Sequence, residues 1–373
     1  MIKQLVIERF KAFKNEHFPL TALNILAGVN GTGKSTCIQA LLLLRQSFLQ
    51  NTLHERGLLL RGPLLNLGTG QDVFHQFSTE ETICFQLDTD SESTRWVFSA
   101  KMDSELLPFA EVASTDAGGA IFSTPLFAGG FWYLSAERIS PDTSYAASYE
   151  PTDSAGPLGQ HGEFTVDFLA RNQLTPLASS ALRHHTLPEK AVDLLGNVRA
   201  WLAEISPGVS LTPERFPALD RTALTFDYVS GSEVLSYKLR PTNVGFGLTY
   251  VLPVIVALLA AKPGDLVLIE NPESHIHPRG QAQLGLLAAI AAQSGVQVVM
   301  ETHSDHFLNG VRMAAKHGLI TATNATILYF NRSPNVPGHS TSVIIPKLTP
   351  EGKLTEWPAG FFDQWQVALH ELL

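Results

Sequence analysis

Residues 28–36, which read GVNGTGKST, constrain the fold more than any other segment of this chain. They match the pattern G-x-x-x-x-G-K-[ST] at every fixed position, and the glycines of that pattern let backbone N–H groups approach phosphate oxygens. Residues 22–26 predict a buried strand before the loop, and residues 34–48 predict an apolar-periodic helix after it. A strand, a glycine loop and a helix N-terminus in this order predict a nucleoside triphosphate site.

The polar positions of this loop have predicted roles. Lys34 is expected to hold the β- and γ-phosphates, and the hydroxyl of Ser35 is expected to ligate Mg²⁺. ATP and Mg²⁺ are therefore the predicted cofactors. The predicted nucleotide-binding residues of the loop are Asn30, Gly31, Thr32, Gly33, Lys34, Ser35 and Thr36.

The composition is that of a globular protein of one or two domains, because 45% of the 373 residues are hydrophobic and 16% are charged. The net charge of −9 repels nucleic acid, so DNA contact would need a local basic patch or a partner protein. The cysteines are Cys37 and Cys84, and Cys37 lies on the predicted helix, where a small buried thiol fits better than a disulfide. A reducing, cytoplasmic compartment is expected.

One uncharged run, residues 244–261, raises the question of a membrane span. It opens with Gly245 and Gly247 and contains Pro253, and the chain has no second such run, so a buried core helix is the better interpretation. Residues 1–10 place charges where a secretory signal would be apolar, and they predict a strand instead. No membrane contact is expected.

A second element of nucleotide chemistry lies at residues 265–270, which read DLVLIE. A short aliphatic strand that ends in a carboxylate is the Walker B pattern, and Glu270 stands where aspartate is usual. Open α/β sheets hold ligands at the carboxyl ends of their strands, so Glu270 is expected to reach the predicted magnesium ion. A helix over residues 281–292 and strands over residues 296–300 and 324–330 follow.

The nucleotide fold is thus predicted from the first and last thirds of the chain, with the middle inserted between them. Residues 82–87 and 94–101 alternate like antiparallel strands, and residues 131–134 predict a further strand. Residues 140–180 are rich in Ser, Pro, Gly and Ala and predict a loop and mobile arm. No heptad pattern persists, so no long coiled-coil arm is expected. The other elements predicted in the middle are a helix over residues 190–203 and a strand over residues 222–228.

Six segments carry a resemblance to a known family: residues 28–36, 133–138, 243–248, 269–278, 302–304 and 357–363. Together they resemble an ABC-type ATPase head of the SMC, RecF and OLD-nuclease class, and specifically the bacterial predicted-ATPase family associated with phage-defence loci. The similarity covers most of the chain. It implies an α/β fold with a P-loop head assembled from the N- and C-terminal thirds, an antiparallel β-subdomain and an inserted helical arm and signature subdomain.

The resemblance also implies domain boundaries. The expected parts are the head with the phosphate loop (1–75), the β-subdomain with a Q-loop-like strand (76–138), the inserted helical arm (139–240), the head with signature, Walker B and switch histidine (241–330), and a C-terminal cap (331–373).

Residues 135–138 fall where such heads carry the Q-loop. No glutamine is present there, so Glu137 or Arg138 would have to couple the γ-phosphate and metal to the helical part. A surface ion pair is the alternative interpretation of these two residues.

Residues 243–247 fall where the signature motif of such heads is expected. Asn243, Gly245 and Gly247 would then present bare N–H groups to the γ-phosphate held by a second subunit, at the start of a helix expected from Leu248. A glycine turn before a core helix is the alternative.

His303 matches the switch histidine that contacts the γ-phosphate in these heads, and it follows the carboxyl end of a predicted core strand. The pairs His275 with His277, and His303 with His306, suggest a metal site as an alternative. The resemblance places the first pair in the D-loop at a dimer interface instead.

ABC-type heads follow the Walker B carboxylate with a catalytic glutamate, and this chain has Asn271 there. An amide is not a base near neutral pH, so Asn271 can only orient water. Glu273 and Glu301 are the alternative candidates to polarise the attacking water, and slow hydrolysis is expected. The candidate catalytic residues are Glu270, Asn271, Glu273, Glu301 and His303.

The leading hypothesis is an ATP-dependent switch in which two chains sandwich two ATP molecules as a homodimer. The resemblance implies a separately encoded, nuclease-like effector that this ATPase scaffolds or gates in anti-phage defence. One alternative is a DNA-repair ATPase of the RecF kind, for which Arg183, His184, His185 and Arg199 supply only part of a basic surface. Another is a non-hydrolysing nucleotide sensor in which Asn271 has abolished turnover.

Overall fold

The computed structural model describes residues 1–110, 119–148, 154–230, 233–234, 237–332, 341–358, 360–362, 369 and 371–372. The strands are β1 (Ile2–Phe10), β2 (Phe13–Pro19), β3 (Leu23–Gly28), β4 (Leu58–Leu59), β5 (Thr82–Thr89), β6 (Ser93–Ser99), β7 (Leu106–Leu107), β8 (Phe131–Leu134), β9 (Tyr145–Ala146), β10 (Val209–Phe216), β11 (Arg221–Ser230), β12 (Glu233–Val234), β13 (Leu266–Glu270), β14 (Gln297–Thr302), β15 (Ala325–Arg332) and β16 (Thr341–Ile344). The α-helices are α1 (Lys34–Leu49), α2 (Gly70–Val73), α3 (Thr165–Arg171), α4 (Leu194–Ile205), α5 (Phe246–Ala260), α6 (Pro278–Gln293) and α7 (Asp305–Lys316).

The chain divides into two compact units. The first unit comprises Met1–Phe131, Ala325–Leu348 and Leu354–Leu373, and the second comprises Trp132–Asn324 and Thr349–Lys353. Each unit is an α/β arrangement with parallel strand pairing. The predicted boundaries of the five smaller parts remain predictions.

In the first unit, strands from opposite ends of the chain pair. β3 runs parallel to β15, with Leu23 opposite Ala325 and Gly28 opposite Phe330, and β15 pairs with β16 in the antiparallel sense. The hydroxyls of Thr21 and Thr326 lie 3.0 Å apart at the start of this pair. The prediction that the first and last parts of the chain build one sheet is confirmed for this pair of strands.

The first unit also contains an antiparallel sheet in the order β2-β1-β5-β6. The predicted pair of antiparallel strands is confirmed, since Phe85 of β5 lies opposite Trp96 of β6. Phe13, Phe18 and Phe330 are fully buried and pack ring against ring, with Phe13 and Phe18 centroids 5.1 Å apart. This aromatic core lies directly beside the phosphate loop.

The second unit contains the parallel pair β13 and β14, with β8 on the other side of β13. Its register sets Glu270 opposite Glu301, so two carboxylates end adjacent strands. Helix α5 is buried over almost its whole length, which confirms the core-helix interpretation of the uncharged run. Among the described residues, the helices are all too short or too polar to cross a bilayer.

Helices α6 and α7 of the second unit pack at very close range. A Cβ atom on Gly285 would lie 2.1 Å from the carbonyl oxygen of Phe307, and one on Gly310 would lie 2.0 Å from that of Ala282. Backbone therefore contacts backbone here, and only glycine fits. This packing holds the first half of α7, which begins two residues after His303.

The expectation that residues 140–180 form only loop and arm is wrong in part. They contain β9 and α3, and Asp167 of α3 is fully buried, with ion pairs to Arg171 at 3.0 Å and Arg215 at 2.7 Å. The hydroxyl of Thr222 adds a hydrogen bond to the same carboxylate. A helix of this length is stabilised by such tertiary contacts rather than by its own periodicity, so composition alone missed it.

Candidate nucleotide site

The phosphate loop has the backbone that its glycines predict. Gly28, Gly31 and Gly33 have φ values of 147°, 75° and 98°, in the region that side chains disfavour. A Cβ atom on Gly28 would lie 2.4 Å from the carbonyl oxygen of Phe330, and one on Gly33 would lie 2.9 Å from the Cβ of Ala12. Gly28 and Gly33 are therefore required by both conformation and close packing, and Gly31 is required by its conformation alone.

Helix α1 begins directly after this loop with its N-terminus open. Gly33 is the N-cap, no side chain caps it, and the first turn holds no acidic residue. The first N–H groups of a helix have no intrahelical partner and carry partial positive charge, which favours an anion. The start of α1 thus fits a phosphate group.

Lys34 lies inside the loop. Its side chain is almost fully buried, and Nζ donates a hydrogen bond to the carbonyl oxygen of Val29 at 2.8 Å; the hydroxyl of Thr32 donates to the same oxygen at 2.8 Å. Asn30 is exposed, and Ser35 is half-buried. A buried ammonium held over a loop of inward N–H groups fits a triphosphate, and the Ser35 hydroxyl has the chemistry of a Mg²⁺ ligand.

In the second unit, Glu270 ends β13 as the Walker B pattern predicts. Its carboxylate accepts hydrogen bonds from the Tyr133 hydroxyl at 3.1 Å and from the Ala136 N–H at 3.3 Å. Burial raises the pKa of Glu270, and these hydrogen bonds and the charge of Arg138 oppose that shift. Burial beside Glu270 also raises the pKa of Tyr133, so the phenol remains a donor. A partly desolvated carboxylate of this kind has the chemistry of a magnesium ligand.

Arg138 is buried beneath the turn that follows β13. Its guanidinium donates to the carbonyl oxygens of Glu270 and Asn271 and lies over the ring of Tyr250, 4.6 Å from the ring centroid. Burial lowers the pKa of Arg138 to about 10. The surface ion pair considered for this residue is therefore wrong, whereas Glu137 is exposed. A direct contact of Arg138 with nucleotide stays a prediction.

Asn271 has a conformational reason to be asparagine. Its φ is 45°, in the left-handed region that asparagine tolerates better than glutamate does. Its N–H donates to the carbonyl oxygen of Glu301 at 2.9 Å, and its buried Oδ1 accepts no hydrogen bond from the described residues. The backbone of Asn271 is thus held in place, and its side chain leaves one buried acceptor available for water or ligand.

Glu273 and His303 are joined by a hydrogen bond. The backbone N–H of His303 donates to Oε1 of Glu273 at 2.7 Å, whereas the buried Oε2 of Glu273 has no hydrogen-bond partner in the described part of the chain. Burial raises the pKa of the Glu273 carboxyl. Glu301 is buried too, with Oε1 4.0 Å from Nε2 of His303. The structure therefore groups the predicted catalytic residues Glu270, Asn271, Glu273, Glu301 and His303 in the second unit.

Helix α5 begins at Phe246 rather than at Leu248. Gly245 is its N-cap, without a side-chain cap or an acidic residue in the first turn, and a Cβ atom on Gly245 would meet nothing within 4 Å. A Cβ atom on Gly247 would lie 2.3 Å from the carbonyl oxygen of His275. Gly247 is thus a packing glycine, whereas Gly245 and Asn243 lie exposed at an open helix start.

The histidine pairs do not form a metal group among the described residues. His275 packs edge-on against Phe246 and Tyr250, with centroid separations of 4.8 and 5.0 Å. His277 caps α6 by accepting a hydrogen bond from the Arg279 N–H at 3.3 Å. Nε2 of His306 lies 3.6 Å from Oδ1 of Asp305 at the surface.

Sequence reasoning gave no role to two tyrosines that lie around the Glu270 turn. Tyr133 and Tyr250 were missed: the first donates to Glu270 and the second donates to the carbonyl oxygen of Ala136. Tyr133 could have been found, because it lies near the end of a buried strand that leads toward the predicted site. Tyr250 carries no such signal, because its position inside an apolar helix indicates core packing.

Comparison with family models decides the family. A model described as "AAA domain, putative AbiEii toxin, Type IV TA system" matches residues 23–309, which is more than half of the chain and includes both motifs. The chain belongs to this AAA domain family. A second model, described as a protein of unknown function, DUF3696, matches residues 320–372 of this AAA protein.

Several solved structures are similar to this AAA protein at low identity. The SMC head bound to the C-winged helix domain of ScpA has a TM-score of 0.44 at 14% identity, covering 93% of this chain and 98% of that one. The SMC head domain from Thermotoga maritima has a TM-score of 0.45 at 10% identity, covering 92% of this chain and 98% of that one. A third structure is the SMC head with an extended coiled coil, bound to the C-terminal domain of ScpA derived from Pyrococcus furiosus. It has a TM-score of 0.43 at 13% identity, covering 100% of this chain and 99% of that one. These TM-scores lie below 0.5, so the assignment rests on the family model. A search of curated proteins found no match.

Proposed function

We propose that this AAA protein is a cytoplasmic Mg²⁺-dependent ATPase that closes into a homodimer around ATP. The observation that carries the proposal is the phosphate loop, with left-handed glycines at Gly31 and Gly33, an uncapped start of α1, and the buried ammonium of Lys34. Backbone N–H groups, the helix dipole and the lysine charge together suit the phosphate groups of a nucleoside triphosphate.

Two residues are proposed to hold the magnesium ion. Ser35 supplies a hydroxyl and Glu270 supplies a carboxylate, both oxygen ligands of the kind that Mg²⁺ prefers. When bound, the ion would neutralise phosphate charge as the terminal phosphoryl group is transferred to water. Tyr133 and the Ala136 N–H orient the Glu270 carboxylate, and Arg138 holds the turn that carries it.

Glu273 is proposed as the residue that orients and deprotonates the attacking water. It is a buried carboxylate whose pKa is raised by burial, which strengthens it as a base, while hydrogen bonds from the His303 N–H and the Thr302 side chain oppose that shift. Glu301, at the end of the adjacent strand, is the second candidate. Asn271 contributes only an amide, so the proposed rate of hydrolysis is slow. ATP binding is proposed to hold the dimer closed, in addition to supplying energy through hydrolysis.

The open start of α5 supports the homodimer. Gly245 is exposed and uncapped, so its end of the helix is a second anion site without a lysine of its own. In the proposed sandwich this site receives the γ-phosphate bound by the phosphate loop of the other chain. The proposed cellular role is to scaffold or gate a separately encoded, nuclease-like effector in anti-phage defence; the family description, which names a toxin–antitoxin system, supports it.

A non-hydrolysing nucleotide sensor is the second candidate function. The fixed conformation of Asn271 at the position of the usual catalytic glutamate favours it. The DNA-repair alternative receives less support, because His184 is buried and the side chain of Arg199 donates to the carbonyl oxygen of Leu211 at 2.8 Å. DNA contact by the isolated chain is therefore proposed to be weak.

Phosphate release and molar mass, measured on one preparation with Mg²⁺-ATP, test this proposal. The ATPase proposal expects slow phosphate release by the wild type and a mass that doubles with ATP. It expects Glu273→Gln to lose about 100-fold in single-turnover rate while keeping the ATP-dependent dimer. Tight ATP binding without phosphate release would favour the sensor, and no mass change with ATP would contradict the sandwich.

A further inference from the structure

A cluster of metal-ligating side chains in the second unit includes none of the residues assigned to nucleotide chemistry. His184, His185 and Glu204 each offer one ligand atom, and these atoms all lie within 4.8 Å of one another. The histidines belong to the segment before α4, and Glu204 belongs to the last turn of α4. The cluster therefore joins a connecting segment to a helix end.

His184 is buried, and both its backbone and its ring contact neighbouring side chains. Its backbone N–H donates to Oδ1 of Asn197 at 2.8 Å, and its ring packs edge-on against Trp201 with centroids 4.9 Å apart. Its Nδ1 lies 2.8 Å from the hydroxyl of Thr186. The backbone N–H of Thr186 lies 3.4 Å from the same nitrogen. Metal ligation through Nε2 requires the tautomer in which Nδ1–H donates to the Thr186 hydroxyl.

The other ring nitrogen of His184, Nε2, is a buried polar atom without a hydrogen bond among the described residues. The side chain is 2% exposed, and Nε2 makes no hydrogen bond among the described residues, although Oε1 of Glu204 lies 3.5 Å away. A buried imidazole nitrogen that lies beside a carboxylate oxygen and a second imidazole has the position and the chemistry of a metal ligand.

The second histidine completes the set. The rings of His184 and His185 have centroids 4.4 Å apart, and His185 is exposed, so its ring can turn without disturbing the core. Ligands of a tetrahedral ion stand about 3.3 Å from one another, given metal–nitrogen distances near 2.0 Å. Rotation of the His185 ring and of the Glu204 carboxylate would bring the three atoms to that spacing.

We propose that His184, His185 and Glu204 form a binding site for a divalent transition metal of the Zn²⁺ class, with the fourth tetrahedral position open. Two imidazoles and one carboxylate are a ligand set that suits Zn²⁺, whereas Mg²⁺ prefers oxygen ligands alone. The bound ion would tie the segment before α4 to the end of that helix.

Arg279 competes for the same carboxylate. Its guanidinium lies 3.5 Å from Oε2 of Glu204, and its side chain is 67% exposed. A cation at the cluster and the arginine would each draw on Glu204, so removing the arginine is expected to strengthen metal binding. A histidine with a purely structural role predicts no such gain.

Cobalt and zinc titrations of the full chain, freed of metal and without nucleotide, test the site. Co²⁺ is expected to give the visible absorption of a tetrahedral nitrogen and oxygen site at one ion per chain, and Zn²⁺ is expected to displace it. His185→Ala and Glu204→Gln, at positions outside the buried core, should each weaken binding about tenfold or more. Arg279→Ala should bind metal more tightly than the wild type.

His306→Ala serves as the matched control, because it removes a half-exposed histidine elsewhere in the second unit. This variant should keep the Co²⁺ signal. Thermal unfolding of each variant without metal shows that the fold is intact, so a lost signal reports on the ligand. Absence of a tetrahedral signal in the wild type, or equal affinity in wild type, His185→Ala and Glu204→Gln, would overturn the proposal.

Discussion

Two helices of this protein begin at a glycine without a side-chain cap, and they differ in what surrounds that glycine. Helix α1 starts at Gly33 in a left-handed conformation and has the buried Lys34 beside it, whereas α5 starts at Gly245 with an ordinary φ of −58° and no cation in its first turn. In the proposed function, the first helix start binds phosphate by itself. The second is proposed to bind an anion only when another molecule brings it.

This difference teaches how a nucleotide switch can be divided between parts of a chain. Tight ATP binding is expected to require the lysine and the strained glycines, so we expect it at the start of α1. A weak, exposed helix start contributes little until a charged group is delivered to it, and it can then sense whether the γ-phosphate is present. The predictions below separate the two roles.

The largest expected effect is at the α1 site. Lys34→Met keeps the apolar part of the side chain and removes its charge, so it should weaken ATP binding about 100-fold. Equilibrium titration with a fluorescent ATP analogue measures the change. Lys14→Met, at an exposed position of β2, is the control and should bind as the wild type does. Equal affinities for all three proteins would remove Lys34 from the site.

The next effect distinguishes the two glycines. Gly33→Ala forces a side chain into a φ of 98° and against Ala12 and Phe13, so it should lower the free energy of unfolding by about 1–3 kcal/mol. Gly245→Ala meets open space, so its change should stay within about 0.5 kcal/mol. Urea unfolding of the two variants measures both values. An equal loss in the free energy of unfolding for Gly33→Ala and Gly245→Ala would contradict the comparison.

A smaller effect tests the sensing role of α5. Gly245→Asp supplies an N-cap carboxylate, so it should stabilise the fold by about 0.5 kcal/mol. The same charge repels a γ-phosphate and should weaken ATP-dependent dimerisation about tenfold, as measured by light scattering against protein concentration. Gly245→Asn caps the helix without charge and should dimerise normally. A dimer unaffected by the aspartate would place the γ-phosphate elsewhere.

The smallest effect concerns pH. Burial raises the pKa of Glu273 above its ordinary value of 4.5, so the folded state favours the protonated form. As pH rises through the raised pKa, the folded state acquires a buried charge and the free energy of unfolding falls. Glu273→Gln lacks this titration, so its stability should fall less between pH 5 and pH 8. Urea unfolding in the absence of Mg²⁺ at both pH values measures this, and parallel curves would contradict it.

The sequence specified most of the elements that carry the site. Strand β3, helix α1 and the pair β13 and β14 were predicted because their apolar periodicity is local and because the glycine pattern and Glu270 mark their ends. The pairing of β3 with β15, nearly the whole chain apart, followed from the idea of a head split between the chain ends.

The remainder depends on contacts that no local pattern shows. The burial of Arg138 beneath the Glu270 turn and the ion pairs of Asp167 arise from residues distant in sequence. Gly245 and Gly247 look alike in the sequence, yet only Gly247 packs against a carbonyl oxygen. The sequence indicated only that Asn271 replaces the usual catalytic glutamate. The φ of 45° supplies a second reason for asparagine, because this residue tolerates the left-handed conformation.

Equilibrium binding of Mg²⁺-ATP to the purified wild-type chain tests the central claim most directly. The account predicts one nucleotide per chain, competition by ADP, and loss of binding when Mg²⁺ is chelated or when Lys34 is replaced. Wild-type protein that is folded by circular dichroism and yet binds no ATP at millimolar concentration would contradict it.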